Sequence, residues 1–142
     1  MTINEVQERI IEDFSQFDDW MTRYELLIDT GKELPAIDPA HKVKDFLIEG
    51  CQSKVWLYPE YDGSVINFTA DSDAIITRGI VSLLIKVLSG RTPIEIMEAD
   101  LYFIDKIGLR QNLSPTRSNG LLSMVKQMKL YAIAYNARNQ KT

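Results

Sequence analysis

A chain of 142 residues is the size of one domain and long enough to bury a core without disulfides or a structural metal. Hydrophobic residues make up 45% and charged residues 25%, and no Pro/Gly/Ser-rich stretch or single-sign charge block marks a linker, which excludes the disordered and low-complexity classes. Sixteen Lys and Arg scattered among twenty Asp and Glu give a net charge of -4, a distribution that argues against tracking nucleic-acid phosphates.

The opening Met1-Thr2-Ile3-Asn4-Glu5 lacks the basic and apolar regions of a signal peptide, so a cytoplasmic protein is expected. Thr2 and Glu5 form a capping-box pattern ahead of Ile3, Val6, Ile10 and Phe14, which predicts a first helix ending near Phe14. Ser15 is the expected N-cap of a second helix carrying the stripe Phe17, Trp20, Tyr24, Leu27 and Ile28, with Gly31 as a left-handed stop before Pro35. Residues 32–42 read as loop. Val55 to Leu57 and Val65 to Thr69 are β-branched and aromatic, with Tyr61-Asp62-Gly63-Ser64 as the hairpin turn and Pro59 suited to an edge or a bulge.

Asp71-Ser72-Asp73 offers N-caps for a helix from Asp73 to Leu88, closed by Gly90. Its apolar run is broken by Thr77, Arg78, Ser82 and Lys86 and is too short to span a bilayer, so it reads as a core helix. Thr92-Pro93-Ile94-Glu95 starts a short helix, and Asp100 is the expected cap of another ending at Gly108. After Ser118, the positions Leu121, Val125, Met128, Ala132 and Tyr135 form the stripe of a last helix. Helices, a few antiparallel strands and more helices predict an α+β domain over residues 1–142, a small antiparallel sheet packed against several helices.

Isolated glycines and the lack of a Gly-Lys-Ser/Thr sequence exclude the common nucleotide-binding loops. One cysteine, Cys51, excludes an internal disulfide, and with His41 as the one histidine there is no zinc ligand set. Cys51 sits in the polar stretch Glu49-Gly50-Cys51-Gln52-Ser53-Lys54, between an apolar run ending at Ile48 and the strand opening at Val55. A free cysteine is most often a small core hydrophobe. Against that, both neighbours are polar or glycine, and Gly50 permits the close approach of another backbone that an offered thiol needs. From the residues alone both roles stand. His41 beside Cys51 would be the skeleton of a cysteine hydrolase, but no motif surrounds it. Trp20, Tyr24 and Trp56 read as core, with Trp56 near enough in sequence to wall a pocket for Cys51.

Gly50-Cys51-Gln52-Ser53 followed by Val55-Trp56 is similar to the Gly-Cys-Gln-Ser-x-Val-Trp signature of the SufE cysteine desulfuration proteins, a family that includes the CsdE group. Three further stretches agree in order and spacing: Trp20 to Pro35 with Tyr24, Gly31 and Leu34; Asp71-Ser72-Asp73-Ala74 with Gly79; and Leu113 to Ser118 with Gly120-Leu121. The chain departs at Thr116-Arg117-Ser118-Asn119, where family members often carry Ser-Arg-Ser, a difference confined to a helix cap.

The resemblance implies a SufE/IscU-like fold and a sulfur carrier. Cys51 would take sulfur as a persulfide from a SufS- or CsdA-like cysteine desulfurase and pass it to a SufBCD-like scaffold, or along another sulfur pathway if the chain is CsdE-like. Pyridoxal phosphate would belong to the desulfurase, leaving this chain with no cofactor or metal and no complete active site. The loop from Glu49 to Lys54 is expected to be mobile, sheltering the thiol alone and exposing it when docked. Gly50, Gln52 and Ser53 are candidate supporting residues. Arg117 would stabilise sulfur charge if the last helix starts near the loop, and Asp73 would cap its helix or touch the partner. The competing classes are a cysteine hydrolase, an iron–sulfur scaffold, which needs more ligands than one cysteine, and a purely structural adaptor.

Overall fold

The computed structural model describes residues 1–140. Helix α1 (Ile3–Ser15) opens on the expected capping box: Glu5 N–H donates to Thr2 Oγ1 at 3.1 Å and Thr2 N–H donates to Glu5 Oε1 at 3.0 Å. Ser15 belongs to that helix and caps nothing. The cap of α2 (Trp20–Lys32) is Asp19, whose carboxylate accepts both the Thr22 N–H and the Thr22 hydroxyl. Asp is as strong an N-cap as Ser, and its charge also suits the helix dipole. Phe17 therefore lies in the connection.

Gly31 is also not a stop. It sits inside α2, where that helix crosses α3 (Ile75–Leu88) at close range. A Cβ on Gly79 would stand 2.3 Å from the Leu27 carbonyl oxygen, and one on Gly31 would stand 2.7 Å from the Gly79 nitrogen. Two glycines let the two backbones touch, a role that a sequence pattern does not distinguish from helix termination.

Strands β1 (Val55–Tyr61) and β2 (Ile66–Ser72) pair antiparallel, from Val55 opposite Ser72 to Tyr61 opposite Ile66. The turn is fixed by Asp62, whose Oδ1 accepts the N–H groups of Ser64 and Val65, with Gly63 at φ +95. Val55, Leu57 and Pro59 alternate inward with Ile66, Phe68 and Ala70, as a half-buried hairpin requires. Both strands outrun the expected blocks. Pro59 is tolerated within β1 because a two-stranded sheet leaves each strand an edge. β2 runs on through Asp71 and Ser72, so neither caps a helix. Ala74 occupies the N-cap of α3 with no side-chain bond, which leaves Asp73 free for another task.

Helix α3 is buried on most sides and is the central element, packed by α2, β2, α1 and α7 (Pro115–Gln140). Helix α4 (Pro93–Glu98) has the expected Thr92/Glu95 capping box. Asp100 caps nothing. The expected helix up to Gly108 is instead the short α5 (Phe103–Lys106), separated by left-handed Gly108 from α6 (Leu109–Asn112). Buried Gln7 holds that turn by donating to the Asp100 carbonyl at 3.0 Å and accepting the Phe103 N–H at 3.2 Å. Helix α7 begins three residues before Ser118, because Pro115 suits a first helical position. Its face of Leu121, Met124, Met128 and Ala132 is fully buried. The architecture is α+β, a small antiparallel sheet covered by helices.

Candidate functional site

The segment between Ile48 and Val55 is a loop stapled at both ends and loosely held between. At its base the Ile48 N–H donates to the Val55 carbonyl at 2.9 Å, and Leu47 bridges Trp56. At the other end Lys54 is clamped from β2 and the residues after it. The Lys54 N–H donates to Asp73 Oδ1 at 3.0 Å, while the Lys54 carbonyl accepts the Asp73 N–H at 3.2 Å and the Ser72 hydroxyl at 2.8 Å. Asp73 thus anchors the Cys51 loop instead of capping α3.

Gly50 turns the loop at φ +89, and a Cβ there would stand 2.5 Å from Ser123 Oγ of α7. The positive φ is what requires glycine, since the Ser123 hydroxyl can rotate aside from a Cβ. The turn points the next side chain inward. Cys51 is half-buried, and its thiol donates weakly to the Gly120 carbonyl of α7 at 3.6 Å. A Cβ at Gly120 would lie 3.5 Å from the sulfur, an ordinary van der Waals contact, so the sulfur rests directly on the surface of α7.

Two spaces meet at Cys51. Beneath it is a cavity of about 70 Å³ walled by Thr77 and Ile80 of α3 and Gly120 and Met124 of α7, with Gln52, Ser53, Thr116 and Arg117 around it. On the outer side, Lys44, Leu47, Ile48 and Glu49 border a groove of about 250 Å³ that shares Cys51, Gln52 and Ser53. The loop is the partition between them. Burial pushes the Cys51 thiol above its ordinary value, with no cation acting to lower it. The seated cysteine is therefore a protonated thiol, poorly nucleophilic until it leaves this position.

The start of α7 lies beside the loop and brings Arg117 to the cavity, where its guanidinium donates to the Tyr24 hydroxyl at 3.4 Å. Gln52 is exposed and Ser53 half-buried. His41 does not line the cavity. It stacks on Tyr58, with ring centroids 3.4 Å apart, and meets the edge of Phe46. Trp56 is not a wall either; its ring lies beneath the Lys42 ammonium, 4.7 Å from the centroid. Sequence reasoning missed the cavity's inner walls, Thr77, Ile80, Gly120 and Met124, although Thr77 carried a signal as a hydroxyl in the most apolar helix. Among the described residues no group of His, Cys, Asp and Glu could hold a metal, and no helix is long and apolar enough to cross a membrane.

A sequence profile of the SufE family, described as an Fe-S metabolism associated domain, matches residues 8–132. An uncharacterized SufE-like protein of Rhizobium etli is 41% identical over 127 residues, covering 86% of this chain and 86% of that protein. The SufE-like protein 1, chloroplastic/mitochondrial, of Arabidopsis thaliana is 36% identical over 135 residues, covering 94% of this chain but 36% of that longer protein. The solution structure of a hypothetical protein from Thermus thermophilus shares the fold, with a TM-score of 0.76 at 17% identity over 93% of this chain and 96% of that one.

Proposed function

The chain belongs to the SufE family, whose domain is associated with Fe-S metabolism, and from that premise we propose that it is a cytoplasmic sulfur carrier working through Cys51. The observation that supports this best is the seat of the sole cysteine, on a loop that divides an inner cavity from an outer groove. A thiol placed so can be sheltered in one position and offered in another. The bonds at Ile48 and Lys54 bound the piece that would move, and among the described residues the weak Sγ bond to the Gly120 carbonyl is the one hydrogen bond on the Cys51 side chain, which otherwise rests on core packing.

In this reading a partner cysteine desulfurase, using its own pyridoxal phosphate, carries a persulfide on its catalytic cysteine. Docking draws Cys51 into the open, where loss of burial lets the thiol ionise. The Cys51 thiolate attacks the outer sulfur of the partner persulfide, forming a new S–S bond as the partner's cysteine leaves with the electron pair of the broken one. Cys51 now bears the outer sulfur and returns to the cavity until an iron–sulfur assembly scaffold of SufBCD type attacks that sulfur. Arg117, at the cavity rim, supplies positive charge to the sulfur anion, while Gly50, Gln52, Ser53 and Asp73 shape and tether the loop. The chain needs no cofactor of its own and is not a complete enzyme. A cysteine hydrolase is disfavoured, because His41 is engaged with Tyr58 and Phe46.

The test is intact mass after incubation with an active desulfurase and free cysteine. Wild type should gain about one sulfur atom, removable by a reductant, and Cys51→Ser should gain none. No gain on wild type with a desulfurase from the same source, proven active on another acceptor, would overturn the reading.

A further inference from the structure

Five polar side chains are buried in the described structure, Gln7, Thr30, Ser72, Thr77 and Ser82, and four of them are satisfied. Gln7 holds Asp100 and Phe103, Thr30 donates to the Leu26 carbonyl, Ser72 to Lys54, and Ser82 to the Thr30 carbonyl. Thr77 is the exception. It is 6% exposed, and its hydroxyl has no hydrogen-bond partner among the described residues. The one sealed, unpartnered side-chain polar atom among them is Arg78 Nε, so the Thr77 hydroxyl is not locked inside protein; it opens on the cavity that its side chain lines beneath Cys51. A hydroxyl that no protein group engages and that faces this space is a donor available to an atom placed there.

We propose that this atom is the outer sulfur of persulfidated Cys51, and that Thr77 is a positioning residue that holds the loaded carrier in its sheltered state. The proposal rests on the carrier reading and deepens it. A cavity of about 70 Å³ exceeds the space one water needs, so an added sulfur atom fits. Ile80 and Met124 offer that sulfur apolar cover, and the Gly120 carbonyl is an acceptor that a persulfide anion cannot use. Thr77 Oγ1–H is the donor among the cavity's inner walls. Because loss of sulfur to an outside thiol requires the loop to swing out, a bond made only in the inward state lengthens the life of the persulfide.

The experiment loads the purified chain with inorganic polysulfide, so that it does not depend on any desulfurase. The Cys51 thiolate attacks an S–S bond of the polysulfide and keeps one sulfur as Cys51–S–S⁻, while a shortened polysulfide leaves with the electron pair. After excess reagent is removed, intact mass follows sulfur loss to a small thiol for wild type, Thr77→Val and Thr77→Ser. The valine variant should lose sulfur about tenfold faster, the scale of one hydrogen bond to a charged group, and serine should restore the slow rate. In the pH profile of sulfur loss, the persulfide of the valine variant should titrate higher than that of wild type. The unloaded valine variant should unfold at close to the wild-type urea concentration, because no protein hydrogen bond of the Thr77 hydroxyl is lost. Equal lifetimes in wild type and valine variant, or a serine variant as labile as valine, would overturn the proposal. Failure of enzymatic loading would instead count against the carrier reading.

Discussion

At the scale of single residues, the chemistry turns on how Cys51 is held. Burial raises its thiol and no neighbouring charge offsets this, so alkylation of the free protein should titrate with a midpoint above the ordinary cysteine value of about 8.5. Unfolding in urea should bring the midpoint back to that value. A midpoint below it in the folded protein would mean that Arg117 activates the thiol in place. Gly50 controls the same seat. Alanine at φ +89 is strained by about 1–2 kcal/mol and would also press on Ser123 Oγ, so Gly50→Ala should lower stability by that order and speed Cys51 alkylation. Adding Ser123→Gly should relieve the contact and leave the dihedral cost, recovering part of the loss in a urea titration. The loop and its cysteine were legible because Gly50-Cys51-Gln52-Ser53 interrupts an apolar pattern with residues that suit no core. Thr77 and Gly120 were not, since their role is defined by what lies across the cavity, and the Cys51–Gly120 contact joins positions 69 residues apart.

At the scale of elements, local signals held wherever a single strong signal stood alone. The Thr2/Glu5 and Thr92/Glu95 boxes and the Asp62-Gly63 turn lie where the sequence places them, and the α7 stripe does so at Leu121, Met128 and Ala132, while Met124 joins the buried face and Val125 and Tyr135 are half-buried. Misplacements arose where two signals competed, as at Ser15 against Asp19, or where a residue that suits a cap was used elsewhere. Asp73 is the functional instance, a carboxylate suited to start α3 and used instead to tether Lys54. Asp73→Ala should remove protection of the Lys54 amide in hydrogen exchange and raise exchange across residues 49–54, while α3 itself stays protected. If α3 lost protection equally, the carboxylate would be supporting the helix after all. The crossing of α2 and α3 has the opposite character, rigid because nothing can yield. The atom facing a Gly79 Cβ is the backbone oxygen of Leu27, so Gly79→Ala should cost about 2–3 kcal/mol in urea unfolding, typical of overpacking.

At the scale of the whole molecule, carboxylates tie these elements to pH. Glu5, Asp62 and Glu95 are held below their ordinary values chiefly by hydrogen bonds from backbone N–H groups, and Asp19 by its bond from the Thr22 hydroxyl. Asp71 is the more buried case. Burial pushes its carboxyl up, but the bond from Lys42, the Ser72 N–H and the charge of Arg78 outweigh that and leave it lowered. A carboxylate whose pKa is lower folded than unfolded contributes stability that is fully present above its unfolded value, near 4, and is lost as pH falls through its folded value. All five shifts have the same sign. The urea midpoint should therefore be flat from about pH 7 to pH 5 and fall steadily below about pH 4. Asp71→Asn should destabilise at pH 7 by about 1 kcal/mol, a modest figure because Lys42 and Arg78 are each well exposed to solvent. The gap between variant and wild type should narrow as the pH falls below the unfolded value and through the lowered folded one, where the wild-type carboxyl itself becomes protonated, and a gap that stayed constant across the range would assign Asp71 a packing role in place of an ionic one.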